Sequence, residues 1–199
     1  DQIRSEALNF LGVAQESTYD QMKEYYPKAF LAYIDKGIEL DILDPGLKTF
    51  DLEKLGQAID YTRDNQFTYL GLQTLYDRYF IHCDDVRYEL PQVFFMRVAM
   101  GLAVEEDNRE ERAIEFYRLL SSFDYMSSTP TLFNSGTKRP QLSSCYLTTI
   151  PDDLDGIFGA MKDNALLSKW AGGLGNDWTS VRAMNSYIKG TNGKSQGVV

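Results

Sequence analysis

The sequence is poor in the residues that build metal and disulfide sites. Its 199 residues include 2 Cys and 1 His. Cys83 and Cys145 form no C-x-x-C pair and no zinc spacing, and a lone His82 argues against a histidine-based site, so no metal ligands are assigned. Positive charge is also short. Against 29 Asp and Glu stand 20 Lys and Arg, a net charge of −9, with a pI near 4.6. That balance excludes a broad nucleic-acid surface and an acidic-membrane surface. It leaves room for a small anion held by a few lysines and backbone N–H groups. No apolar run approaches the roughly 20 residues of a membrane span. No signal peptide is visible at the N-terminus, and there are no repeats or low-complexity tracts. A cytoplasmic, reducing-compartment protein is expected, with no membrane and no nucleic-acid partner.

What is present is material for a core. The chain is 43% hydrophobic and carries 13 Tyr and 11 Phe, enough for one sizeable core and a separate helical lobe. Apolar spacing predicts helices over 2–14 and 20–39, with Pro27 setting a start or a kink in the second. Asp44-Pro45-Gly46 reads as a turn. A short helix is expected over 51–60 and another over 67–80, the latter burying Leu70, Leu72, Leu75, Tyr76 and Tyr79. His82 to Asp85 reads as a turn that opens a small hairpin. Pro91 sits at a first helical turn. The run 92–104 is apolar nearly all round, so it should be buried. Asp107-x-x-Glu110 resembles a capping box before a helix carrying Ile114, Tyr117 and Leu120.

The pattern changes after Ser127. Cys145 to Ile150 has strand composition. Pro151-Asp152-Asp153 reads as a turn and cap, followed by a helical stripe of Leu154, Ile157, Phe158, Met161 and Leu166. Ala171-Gly172-Gly173 is expected to end that helix, and a second strand is expected over 176–182. Strand, helix, strand is a β-α-β unit with parallel pairing.

Chemistry concentrates in the same region. Cys145, flanked by Ser143 and Ser144, reads as a redox thiol, a nucleophile or a buried strand cysteine. A thiol protease would need a histidine near it, and a redox role needs a second thiol. Gly172-Gly173-Leu174-Gly175 fits neither the dinucleotide fingerprint nor the phosphate-binding loop. It reads as a tight turn or a close backbone approach to a ligand. Thr129, Thr131 and Ser144 offer hydroxyls to a sugar or phosphate, or simply make a polar turn.

Four motifs in order, STPTLFNSGTKRPQLSSC, DDLDGIF, SKWAGGLG and SVRAMNSYIKGTNG, resemble the catalytic subunit of class I ribonucleotide reductase. The resemblance is strong over 125–199. Residues 1–124, with LGLQTLYDRYF and PQVFFMRVAMGLA, resemble the helical lobe that precedes that family's barrel. The implied fold is α/β: a helical N-terminal lobe over 1–124, then the first strands and helix of a ten-stranded barrel over 125–199, incomplete here. The implied activity is radical-based reduction of ribonucleoside diphosphates to deoxyribonucleotides.

Residue by residue, the resemblance makes Cys145 one of two reducing cysteines. It places Ser128, Thr129, Ser144, Gly172 and Gly173 at the substrate. It assigns Asp152, Asp153, Leu154, Lys169, Arg182, Ile188, Lys189 and Gly190 to an allosteric effector, a deoxynucleotide or ATP. Asp152 holds the ribose in that scheme, and Lys169 and Arg182 lie near phosphates. No cofactor is bound directly by this chain, since the radical cofactor belongs to a radical-generating small subunit. Other implied partners are the rest of the barrel, a second copy of the catalytic subunit, and thioredoxin or glutaredoxin as reductant.

The family's ATP-binding cone is absent, so overall activity control is not assigned. The chain begins inside helical sequence and stops at Gly-Val-Val, where an apolar run begins. A fragment or one half of a split protein is expected, with the radical cysteine and second reducing cysteine beyond Val199. Two rival readings stand beside this one: a nucleotide-binding or assembly module without turnover, and part of an adenosylcobalamin-dependent reductase.

Overall fold

In the computed structural model, residues 2–169 and 172–198 are described. Contacts divide the chain into two compact units, Asp1–Leu142 and Ser143–Val199. The division was expected between 124 and 125. The segment 125–142 instead stays with the helices, because its short helix is tied to buried Arg97 and its tail is strung along that helix.

The first unit contains seven α-helices among its described residues. They are α1 (Gln2–Phe10), α2 (Met22–Glu39), α3 (Leu52–Gln57), α4 (Tyr69–Arg78), α5 (Pro91–Ala103), α6 (Arg109–Ser121) and α7 (Thr129–Asn134). The first helix stops short of residue 14. Gly12 adopts φ +70, and the N–H groups of Val13 and Ala14 turn back to Leu8 O, so a left-handed residue closes the helix. Pro27 lies inside α2 without ending it, and Tyr26, Ala29, Phe30, Tyr33 and Ile34 form the buried stripe. Asp51 caps α3 through Lys54 N–H, and Thr68 caps α4 through Gly71 N–H. On α4 only Leu75 is buried. Leu70, expected in the core, is 74% exposed, and Leu72, Tyr76 and Tyr79 are half-buried.

Between α4 and α5 lies the expected hairpin, β1 (His82–Cys83) and β2 (Val86–Arg87), paired antiparallel. Asp84 and Asp85 make its turn at φ 46 and 67. Helix α5 is the centre of the core, buried from Pro91 through Met100 on every side. It packs against Ala113, Tyr117 and Leu120 of α6. The capping box does not form. Asn108, not Asp107, is the N-cap of α6, with no side-chain cap bond.

Two polar clusters run through this core. Tyr26 Oη donates to Asp64 Oδ2 at 2.7 Å, Gln92 Nε2 to Asp64 Oδ1 at 2.9 Å, and Tyr117 Oη to Gln92 Oε1 at 3.0 Å. Burial raises the Asp64 carboxyl above its ordinary range. The second cluster joins Glu89, Tyr33 and Arg97, all fully buried.

The second unit is built on β3 (Cys145–Thr149), α8 (Leu154–Ser168) and β4 (Gly173–Asp177). The two strands pair in parallel, from Cys145 opposite Gly173 to Thr149 opposite Asp177. The β-α-β unit is as expected, but its second strand starts earlier. Gly172-Gly173-Leu174-Gly175 is not a turn that ends the helix: Gly173 to Gly175 are strand residues, and residues 178–182 leave the sheet. The expected helix end falls partly outside the described residues, at Ala171. A hairpin of β5 (Tyr187–Ile188) and β6 (Gly193–Lys194) follows. Among the described residues no helix is long and apolar enough to cross a membrane.

Candidate functional site

Cys145 opens β3, exposed and free of any disulfide, as Cys83 also is. Side chains alternate along a strand, so Cys145, Leu147 and Thr149 share an exposed face, while Tyr146 and Thr148 are half-buried. Ser144 Oγ lies 3.7 Å from Cys145 Sγ. Gly173 N–H donates to Ser144 O at 2.8 Å, which locks the glycine beside the thiol. A Cβ on Gly173 would stand 3.6 Å from Cys145 Sγ, so glycine keeps that side of the sulfur open. Gly172 meets a different neighbour. A Cβ there would come within 2.5 Å of the Tyr146 ring. The structure thus brings Ser144, Cys145, Gly172 and Gly173 to one end of the parallel pair.

Ser128 and Thr129 belong to the first unit, at the start of α7. Pro130 occupies its first turn, where no N–H is missed. Ser128 Oγ and Thr131 Oγ1 are 3.3 Å apart, and Thr131 Oγ1 donates to Leu142 O at 3.1 Å. Asn134 Nδ2 donates to Gln141 O at 2.8 Å. At the far end of α7, Arg97 Nη1 donates to Ser135 O at 2.6 Å and Phe133 O at 3.3 Å, and Nη2 to Leu132 O at 3.1 Å. A buried guanidinium thereby satisfies carbonyls that a helix end leaves without partners. Ser128 and Thr129 are left exposed at the other end.

The predicted effector residues cluster at the start of α8. Asp153 Oδ1 accepts from Gly156 N–H at 2.7 Å and caps the helix. Asp152 is bound by Arg182: Nε reaches Oδ1 at 3.0 Å and Oδ2 at 2.9 Å, and the backbone N–H reaches Oδ1 at 3.1 Å. These bonds hold the Asp152 carboxyl below its ordinary range. Arg182 Nη1 also donates to Tyr187 O at 3.3 Å, tying the Asp152 pair to the β5–β6 hairpin. Ile188 ends β5, and Lys189 and Gly190 form the tip, with Gly190 at φ +94. Lys169 is apart from this group. It is the C-cap of α8, about 24 Å from the N-cap at the helical rise.

The chain matches two family models. One is described as "Ribonucleotide reductase, all-alpha domain" and spans 65–140; the other, "Ribonucleotide reductase, barrel domain", spans 143–199. The chain belongs to the ribonucleotide reductase large-subunit family. Relatives named ribonucleoside-diphosphate reductase subunit alpha include one from Chlamydia muridarum, 56% identical over 90% of this chain and 17% of its own length. Another, from Chlamydia trachomatis, is 50% identical over 100% of the chain and 18% of its own length. The large chain from Schizosaccharomyces pombe is 45% identical over 74% of the chain and 18% of its own length. The chain spans about a fifth of these relatives. The two matched domains meet between 140 and 143, beside the boundary that contacts draw at Leu142. The helical domain and the incomplete α/β barrel of the ribonucleotide reductase fold are therefore both represented.

Sequence reasoning missed two residues beside the proposed site of this reductase segment. Arg97 was absorbed into an apolar run, although a lone arginine in a buried helix signals a buried acidic partner. Tyr79 was assigned to the core, yet its hydroxyl lies 3.2 Å from Thr129 Oγ1. No spacing in the sequence links those two positions.

Proposed function

We propose that this segment supplies part of the active site and part of the specificity-effector site of a ribonucleoside-diphosphate reductase. The observation that carries the reading is the exposed Cys145 thiol at a strand end, beside a serine hydroxyl and facing a glycine that leaves the sulfur accessible. In each turnover the C2′–O bond of a ribonucleoside diphosphate breaks, a C2′–H bond forms and water leaves. Two cysteine thiols lose two electrons and two hydrogens and become a disulfide. Cys145 is one of them; the second, with the cysteine that carries the thiyl radical, lies in barrel residues beyond this segment. Ser128, Thr129, Ser144 and the backbone at Gly172 and Gly173 hold the substrate. A radical-generating small subunit supplies the radical and its cofactor, and thioredoxin or glutaredoxin reduces the disulfide in the cytoplasm.

The effector, a deoxynucleotide or ATP, binds around Asp152, Asp153, Leu154 and the 188–190 tip. Arg182 fixes the Asp152 carboxylate, which keeps acceptor capacity for ribose hydroxyls. Lys169, at the far end of α8, serves phosphates only if the ligand runs along that helix. A homodimer is supported by α8 itself. Leu154, Phe158 and Met161 are 73%, 64% and 48% exposed and share one face at i, i+4, i+7. The test is Cys145→Ser in the complete reductase, assayed for deoxynucleoside diphosphate. Loss of repeated turnover is expected; undiminished turnover would reject the reducing-thiol role.

A further inference from the structure

Tyr79 follows α4 as its C-cap residue, and its N–H donates to Leu75 O at 2.9 Å. The next residue, Phe80, is buried against Phe94 at 5.6 Å between ring centroids. The backbone at Tyr79 is therefore anchored on the core. Its ring then stacks on Phe133 of α7, with centroids 4.8 Å apart and planes at 16°. Thr129 and Phe133 are four residues apart on one face of α7. A ring stacked on Phe133 consequently carries its hydroxyl to Thr129, and the oxygens are 3.2 Å apart. Helix α7 is itself held by Arg97 at its other end, so both partners in this contact have fixed backbones.

The contact matters for the direction of the threonine proton. A hydroxyl has one donor hydrogen and two acceptor lone pairs. If Tyr79 O–H donates to Thr129 Oγ1, the threonine proton is left to point at an outside acceptor. A chain of two hydroxyl donors also polarises the outer one. We propose that Tyr79 is a positioning residue for Thr129: it donates to Oγ1 and so holds the threonine hydroxyl as a donor to a diphosphate oxygen of the ribonucleotide. This inference rests on the substrate-binding reading of Thr129.

The experiment uses the complete reductase that carries this segment, with Tyr79→Phe, Thr129→Val, Thr129→Ser and the Y79F/T129V double variant. KM and kcat for a ribonucleoside diphosphate are measured beside the melting temperature. Tyr79→Phe keeps the ring stack, so the melting temperature should hold. KM should rise about threefold to tenfold, the range of one hydrogen bond, with kcat little changed. Thr129→Val should raise KM at least as much, and Thr129→Ser should stay near wild type. The double variant should be no worse than Thr129→Val, because Tyr79 acts only through that hydroxyl. An unchanged KM in Tyr79→Phe beside a raised KM in Thr129→Val overturns the positioning role alone. A full additional loss in the double variant does the same. An unchanged KM in Thr129→Val rejects the substrate reading of that residue, and the role of Tyr79 falls with it.

Discussion

Arg97 Nε lies 2.7 Å from Glu89 Oε1, and neither side chain has any exposure. Such a pair stands only when its other donors and acceptors are also satisfied. Here they are. Glu89 accepts in addition from Tyr33 Oη at 2.6 Å and Ile81 N–H at 3.0 Å. Arg97 Nη2 also donates to Glu89 Oε2 at 3.3 Å, and the other Arg97 donors go to the carbonyls that end α7. One ion pair therefore joins α5, the strand exit at Glu89 and the helix that bears Thr129.

Truncating Arg97 to Ala should lower unfolding free energy by about 3–5 kcal/mol, since Glu89 would be left buried without its cation. Replacing both charges, as Arg97→Met with Glu89→Leu, should not restore stability. Tyr33 Oη, Ile81 N–H and three α7 carbonyls would all lose partners. Denaturant unfolding of wild type, Arg97→Ala and the double variant checks this. A double variant as stable as wild type would show that the pair alone matters and the α7 bonds do not.

The approach of α5 to the loop after α7 allows no side chain at Gly101. A Cβ there would overlap Gly136 N and Ser135 Oγ. Gly136 has no freedom to retreat. It sits at φ +76, its own Cβ position is 2.8 Å from Arg97 O, and its carbonyl accepts from Asp44 N–H at 3.1 Å. Gly101→Ala should cost about 1–3 kcal/mol by overpacking, read as a drop in melting temperature. Gly136→Ala should cost more, since it adds backbone strain.

Much of this arrangement was legible in the sequence. The all-round apolar run of α5, the 82–87 hairpin and the parallel β-α-β unit each follow from local patterns. The strand at Gly173–Asp177 does not. Two of its residues are glycines, which disfavour strands, and pairing with Cys145–Thr149 overrides that preference. The substrate and effector assignments came from motif resemblance. The cap at Asp153 was legible too, but the sequence could not say that Arg182 grips Asp152 or that Tyr79 reaches Thr129. Those facts depend on contacts between residues about 30 to 50 positions apart, which no local periodicity encodes.

Asp153 can be separated from Asp152 by its cap. Its Oδ1 holds Gly156 N–H, a role that serine also fills. Asp153→Ala should destabilise the α8 region by about 0.5–2 kcal/mol, and Asp153→Ser by much less. Hydrogen exchange across residues 154–158 checks this. Equal exchange in both variants would mean that the cap contributes nothing measurable. If effector binding follows helix protection across the two variants, Asp153 acts through the cap; if it is lost in both, the carboxylate itself contacts ligand.

Asp152 titrates below an ordinary aspartate, first because of the side-chain hydrogen bond from Arg182 and next because of that residue's backbone N–H. A carboxyl with a depressed folded-state pKa adds stability that is present above its unfolded value of about 3.9 and is lost as pH falls through the folded value. The Asp152–Arg182 link should therefore persist at neutral pH and open only under acid. Arg182→Gln removes the larger of the two causes, so the Asp152 midpoint should move up, toward the ordinary value. Carboxyl-carbon NMR titration of both proteins reads that midpoint directly. The shift should be accompanied by loosening at Tyr187, whose carbonyl accepts from Arg182 Nη1. An unmoved midpoint in Arg182→Gln would mean that the backbone N–H alone depresses the carboxyl. In that case Arg182 would be available for a ligand phosphate, as its resemblance-based role requires.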